Sequence, residues 1–116
     1  MEQTEYKILQ ADPRVFRRGE LADTVRIVGD ELPSLARAFT QLLEGRPLDK
    51  PPQHSAGVES DLFRVVVSET DVEEICEHLL TKEAAAVSPS GETTALASAI
   101  ASLLDHWSRY AEVVAG

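Results

Sequence analysis

The chain has 116 residues, of which 43% are hydrophobic and 27% charged, and its formal net charge is −9. These values are typical of one globular domain and exclude a disordered chain. No apolar run approaches the roughly 20 residues of a membrane-spanning helix, and the single cysteine, Cys76, excludes an intrachain disulfide. The acidic N-terminal residues lack the apolar core of a signal peptide, which favours a cytoplasmic protein.

The negative charge is concentrated in the C-terminal half of the chain. Residues 1–50 contain eight Lys/Arg and nine Asp/Glu, whereas residues 51–116 contain three and eleven. An acidic surface repels phosphates, so we expect neither a nucleic acid nor a membrane as partner, while a protein partner stays possible. Arginine outnumbers lysine eight to three, which is typical of GC-rich bacterial genomes.

Three short segments near the N-terminus have strand-like sequences. Residues 6–10 are β-competent and are ended by Pro13. Residues 14–17 resemble a short edge strand. Residues 24–28 alternate in polarity and are rich in β-branched side chains, which predicts a further strand.

A helix is predicted over residues 31–44. Asp30 is expected as its N-cap, Pro33 is tolerated in the first turn, and Gly45 is expected to end it. Five apolar residues at helical spacing form the expected buried face: Leu35, Ala38, Phe39, Leu42 and Leu43. With the preceding strand, this helix makes a predicted β-α unit over residues 21–45.

A second β-α unit is predicted over residues 61–86. Residues 62–67 are nearly all apolar and indicate a buried central strand. Ser68 is expected to cap the following helix. The likeness to residues 21–45 suggests an internal duplication, with Arg26 and Arg64 matched and paired with Asp23 and Asp61. The Pro-rich residues 46–60 form the predicted linker, which is either a mobile segment or a functional loop.

The last predicted helix covers residues 92–114. Six of its apolar residues repeat at alternating intervals of four and three, as in a helix packed along its length: Leu96, Ile100, Leu103, Trp107, Tyr110 and Val114. The partner of this seam is either the helix before it or the same helix in a second subunit. We favour the second alternative, which predicts a homodimer.

Together these elements predict an α+β fold in a single domain, residues 1–116. Its sheet has three or four antiparallel or mixed strands, two helices lie on one face, and the long C-terminal helix packs or dimerises. Cys76 lies on an apolar stripe and is expected to act as a small buried hydrophobic residue.

No catalytic, cofactor or metal site is predicted. The chain has no phosphate-binding loop, dinucleotide fingerprint, HExxH or GxSxG motif. His54 lies in the linker and His78 on an exposed helical position. His106 follows Asp105, but adjacent helical residues do not face each other. Glu73 and Glu77 share a helix face that no histidine joins, so a solvated surface is the better interpretation.

The best candidate for anion or partner binding is a group of basic side chains near the first strands: Arg14, Arg17, Arg18 and Arg26. The alternative is that these charges only protect an edge strand from aggregation. We therefore expect a non-enzymatic adaptor, immunity, antitoxin-like or accessory protein that acts through protein contacts. A regulatory domain for a small anionic ligand is the alternative, and an enzyme whose site is assembled from distant residues is the third.

Overall fold

A computed structural model describes residues 3–48 and 61–115 of the chain. The elements follow in the order α1 (Gln3–Ala11), β1 (Val15–Arg17), α2 (Arg18–Val28), α3 (Pro33–Glu44), β2 (Leu62–Arg64), α4 (Glu69–Ala85) and α5 (Ala95–Ala115). Most of the predicted linker, including His54, lies outside the described residues. Of the helices described, none is both long and apolar enough to pass through a lipid bilayer.

The prediction of a three- or four-stranded α+β sheet is wrong. The described residues are mostly helical, with five helices and one two-stranded antiparallel sheet. Two of the predicted strands are helical, since residues 6–10 lie in α1 and residues 24–28 in α2.

The helical character of α2 is visible only in a longer window than residues 24–28. Its buried side chains are Leu21, Thr24 and Val28, which are spaced by three and four residues, as on one helix face. Glu20 accepts a hydrogen bond from the backbone N–H of Arg17 in the first turn. The β-branched side chains of residues 24–28 therefore predicted the local structure less well than the helical spacing of the apolar and buried positions, which begins at Leu21.

The two strands form a short antiparallel ladder. Phe16 of β1 is paired with Phe63 of β2 at its centre. Two further backbone hydrogen bonds extend it, from Arg18 N–H to the Asp61 carbonyl (2.8 Å) and from Val65 N–H to the Arg14 carbonyl (2.9 Å). The predicted strand at residues 14–17 is confirmed, whereas β2 is shorter than the predicted central strand.

Helices α3 and α4 are confirmed close to their predicted bounds. The N-cap of α3 is Leu32 rather than Asp30, and Ala38 is exposed rather than buried. The Ser68 hydroxyl accepts a hydrogen bond from Asp71 N–H (3.1 Å), as an N-cap does. Because residues 21–45 hold no strand, the expected duplication of a β-α unit is not present.

Helix α5 packs along α4 within the same chain. Four of the six seam residues are buried: Ile100, Leu103, Trp107 and Tyr110. Leu96 is 49% exposed and Val114 is half-buried. The interval pattern identified a face of α5 that is largely buried within the chain, and α5 packs on α4 and on other elements.

An aromatic cluster joins α5 to the sheet and to the helices α2 and α3. The ring centroids of Phe16 and Trp107 are 4.3 Å apart, and those of Phe39 and Trp107 are 5.7 Å apart. The Trp107 indole N–H donates to the Thr24 hydroxyl (3.1 Å). This hydrogen bond satisfies the one polar group that the buried indole carries.

Candidate functional site

His106 on α5 and Glu20 on α2 form a histidine–carboxylate pair, although they are 86 positions apart in the chain. The distance from His106 Nδ1 to Glu20 Oε2 is 2.6 Å. His106 is buried, and Glu20 is partly exposed. The other oxygen of Glu20 accepts from Arg17 N–H at 3.0 Å, so the start of α2 holds the carboxylate in place.

The second nitrogen of His106 is also engaged. Nε2 lies 3.1 Å from the carbonyl oxygen of Pro13. The imidazole ring stacks on Phe16, with centroids 3.7 Å apart and planes 6° apart. These contacts fix the ring between the turn before β1 and the start of α2.

The identity of its acceptors determines how the His106 ring is protonated. A carbonyl oxygen can only accept, so Nε2 donates its hydrogen to Pro13. Nδ1 is engaged by the Glu20 carboxylate at 2.6 Å. Neither ring nitrogen is therefore available as a general base for a substrate.

The pKa of Glu20 is lowered by its contacts. Burial by itself raises the pKa, because it disfavours the charged form. The hydrogen bonds from His106 and from the Arg17 backbone, with the positive charges of both side chains, outweigh burial and lower the pKa below its ordinary value of 4.5. Glu20 therefore contributes to stability as a carboxylate.

A polar cavity of about 210 Å³ lies beside this pair. Its lining residues are Gln10, Val15, Arg17, Glu20, Leu62, His106 and Arg109. Arg109 Nε lies 3.4 Å from Asp105 Oδ2. Within the described residues, no carboxylate forms an ion pair with Arg17. We refer to this space as the arginine cavity.

The four arginines predicted as one anion-binding group are not brought together as a single site. Arg17 lines the arginine cavity. Arg14 lies 3.5 Å from Asp12 through its Nε, and Arg26 lies 3.1 Å from Asp23. The expected pairing of Arg26 with Asp23 is thus confirmed.

Arg18 has a structural setting. Its guanidinium donates to the Leu43 carbonyl (3.0 Å), lies 3.6 Å from Asp61 and sits 4.9 Å from the centre of the Phe63 ring. The expected pairing of Arg64 with Asp61 is wrong, because Arg64 is paired with Asp12 at 3.4 Å. Arg18 thus ties the linker end of α3 to β2, a role that its position in the sequence did not reveal.

A second, mainly apolar groove of about 290 Å³ lies between α3 and the chain at β2. It is lined by Ala38, Phe39, Leu42 and the run of residues 64–67. Val66 is 88% exposed, the largest exposed fraction among the large hydrophobic residues described. We refer to this space as the edge groove.

The other candidate groups do not converge. Within the described residues, no set of three or more His, Cys, Asp and Glu side chains has the arrangement of a metal site. Cys76 is half-buried on α4 and packs against the core. Burial raises the pKa of its thiol above 9.0, although a hydrogen bond with Ser108 opposes the shift. A thiol in this setting is a poor nucleophile.

Sequence reasoning missed the pair of His106 and Glu20. It compared His106 only with its neighbour Asp105, which is exposed and turned to Arg109. The local signal for Glu20 is its position three residues after Arg17, the N-cap residue of α2. A glutamate at this position accepts a hydrogen bond from the backbone N–H of the N-cap residue. That signal was hidden because residues 18–23 were not recognised as helical.

These features define a small, mostly helical protein with a two-stranded sheet, whose C-terminal helix is joined to α2 by the contact between the buried His106 and Glu20. Comparison with protein-family models, curated proteins and solved structures finds no match for this chain.

Proposed function

We propose that this protein is a non-enzymatic binding protein that holds an extended segment of a partner protein in the edge groove. The observation that carries the proposal is Val66, an apolar side chain left 88% exposed beside a strand. Exposed apolar groups next to an unpaired strand edge are a common way to recognise extended peptides.

The outer edge of β2 presents backbone groups that can pair with such a segment. Val65 O and Val67 N both bond to the Tyr110 hydroxyl, so the backbone groups of Val66 point the opposite way. By the same alternation, the backbone N–H and carbonyl groups of Arg64 also point away from β1. Within the described residues, no backbone partner meets Arg64 and Val66 on this edge.

The chain itself shows that this edge accepts a neighbour. Leu48 N–H donates to the Leu62 carbonyl at 2.8 Å, on the side of β2 opposite to β1. A partner segment would extend that pairing to Arg64 and Val66. Its alternate apolar side chains would then contact Phe39 and Leu42 in the groove.

Charge favours a basic partner. The net charge of −9 attracts a positively charged protein and suppresses encounters with acidic ones or with nucleic acids. We therefore propose a partner segment with alternating apolar residues and basic flanks.

The non-enzymatic part of the proposal is supported by His106. An enzyme whose site is assembled from distant residues needs a histidine beside a carboxylate in a cavity. His106 and Glu20 have that arrangement. Its two nitrogens are nonetheless engaged by Glu20 and the Pro13 carbonyl. A general base needs a free lone pair directed at its substrate.

Little of the six-residue seam of α5 is exposed for contact with a second subunit in the predicted homodimer. Only Leu96 and Val114 retain exposed surface among the six residues, since the other four are buried within the chain. A dimer would therefore need another surface, and sedimentation of the purified protein measures whether it forms.

Selection of extended peptides from a displayed library tests the edge groove. Peptides that bind the wild-type protein should carry alternating apolar residues and should slow hydrogen exchange at the Val66 amide. The variant Val66→Asp should lose at least about tenfold in affinity, which corresponds to ~1.4 kcal/mol.

The control is Leu80→Asp, which changes a side chain that is 58% exposed on α4, outside the groove. It should bind the selected peptides as the wild type does. Equal loss in both variants, or binding without protection of the Val66 amide, would refute the edge groove as the binding site.

A further inference from the structure

We propose that the arginine cavity binds a small phosphate-type oxyanion between the guanidinium groups of Arg17 and Arg109. This site is separate from the edge groove, so it can fail without affecting the proposed peptide binding. Among the described residues that line it, these two arginines are the only Lys or Arg side chains.

Arg17 lines the cavity, and no carboxylate of the described residues forms an ion pair with its guanidinium. It lies two residues after Val15 on β1, so both side chains project from the same face of the strand. Val15 is buried and forms part of the apolar wall, while Arg17 is exposed. A guanidinium carries five N–H donors in a planar fork that matches the oxygens of a phosphate.

Arg109 approaches from α5. It lies three residues after His106, about one helical turn, so both side chains reach the same cavity. Its Nε is 3.4 Å from Asp105, whose side chain is 75% exposed. Ion pairs this exposed are weak, and this one leaves the terminal nitrogens of Arg109 for an anion.

Glu20 is the one carboxylate among the described residues that line the cavity, and it offsets one of the two arginine charges. One of its oxygens accepts from Arg17 N–H and the other lies 2.6 Å from His106 Nδ1. The two arginines therefore leave the lining positive in a chain whose net charge is −9. The amide of Gln10 adds a further possible donor.

The size of the cavity restricts the anion. Pockets for drug-sized ligands measure roughly 300–1,000 Å³, whereas this cavity measures about 210 Å³. A phosphate, or the phosphate group of a small monoester, is compatible with that space. A dinucleotide is too large for it.

Titration with inorganic phosphate, followed by NMR at constant ionic strength with chloride as the balancing anion, tests the site. The wild type should show saturable shifts of the Arg17 and Arg109 side-chain Nε–H signals. Arg17→Gln and Arg109→Gln should each weaken binding by about tenfold to a hundredfold, as expected for a lost charge-assisted hydrogen bond.

Arg37→Gln is the matched control, because it removes the same charge from an exposed position on α3 away from the cavity. It should bind phosphate as the wild type does. Shifts that do not saturate in the wild type, or an equal loss in the control, would overturn the proposal. Circular dichroism of each variant checks that the fold is retained.

Discussion

At the scale of single residues, the chemistry of His106 is set by what its two nitrogens touch. A histidine with a carboxylate at 2.6 Å resembles a catalytic pair when only that distance is considered. The carbonyl of Pro13 on the other nitrogen changes the interpretation, because it removes the site where a substrate proton would be taken up. The same two contacts join α5 to segments far from it in sequence.

Glu20 should make the stability of the protein fall in acid. Since its pKa is lowered in the folded state, its contribution is fully present above the ordinary value of 4.5 and is lost as the pH falls through the lower folded pKa. Urea unfolding of the wild type and of Glu20→Gln, measured from about pH 7 down to about pH 3, should show a shallower acid dependence in the variant.

Glu112→Gln is the control for this experiment, because Glu112 is exposed on α5 outside the arginine cavity. It should retain the acid dependence of the wild type. The assignment would be contradicted if Glu20→Gln lost stability in acid as steeply as the wild type.

At the scale of elements, α5 holds the segment that follows β2 in place through hydrogen bonds to its backbone. The Tyr110 hydroxyl donates to the Val65 carbonyl (2.9 Å) and accepts from Val67 N–H (3.0 Å). One side chain of a helix thus replaces two backbone partners that a longer sheet would supply. This explains how β2 remains short although the apolar run in the sequence continues to Val67.

Replacing Tyr110 by Phe should destabilise the protein by about 1–3 kcal/mol, because buried backbone groups lose their partner. Hydrogen exchange gives a local readout. The Val67 amide should exchange faster in the variant, whereas the Val65 amide should stay protected, since it bonds to the Arg14 carbonyl.

The comparison of the two amides serves as an internal control for this variant. Faster exchange at both to the same extent would show that the whole strand opens. Unchanged exchange at Val67 would show that the Tyr110 hydroxyl does not hold this segment.

At the scale of the whole molecule, the aromatic cluster connects elements from both ends of the chain. Phe16, Phe39, Trp107 and Tyr110 come from β1, α3 and α5, and all four are buried. Aromatic side chains bury large areas, and their contacts contribute beyond the area alone. Truncating one of these side chains should therefore lower the free energy of unfolding of the whole domain.

Phe39→Ala should cost roughly 3–5 kcal/mol, as large-to-small changes in a packed core do. The variant should unfold at a lower denaturant concentration than the wild type. The unfolding midpoints measured by Trp107 fluorescence and by far-ultraviolet circular dichroism should fall together. The control Leu96→Ala, at a side chain that is 49% exposed, should change stability by no more than about 0.5 kcal/mol. Separate midpoints in the Phe39 variant would contradict one cooperative core.

The sequence by itself determined three helices and one short strand. Residues 33–44, 69–85 and 95–115 carry apolar stripes long enough to be recognised as helical, and Ser68 marks its helix start through a local hydrogen bond. Residues 14–17 were short but bounded by Pro13. These signals are local, because each depends on spacing or capping within one segment.

Only the tertiary structure decided the rest. Residues 24–28 have β-branched side chains, yet Thr24 and Val28 are buried from a helix face that packs on the core. The partner of the α5 seam and the pairing of His106 with Glu20 depend on which distant segments meet in space. Such contacts arise from packing and leave no periodic mark on the sequence, so they required the structure.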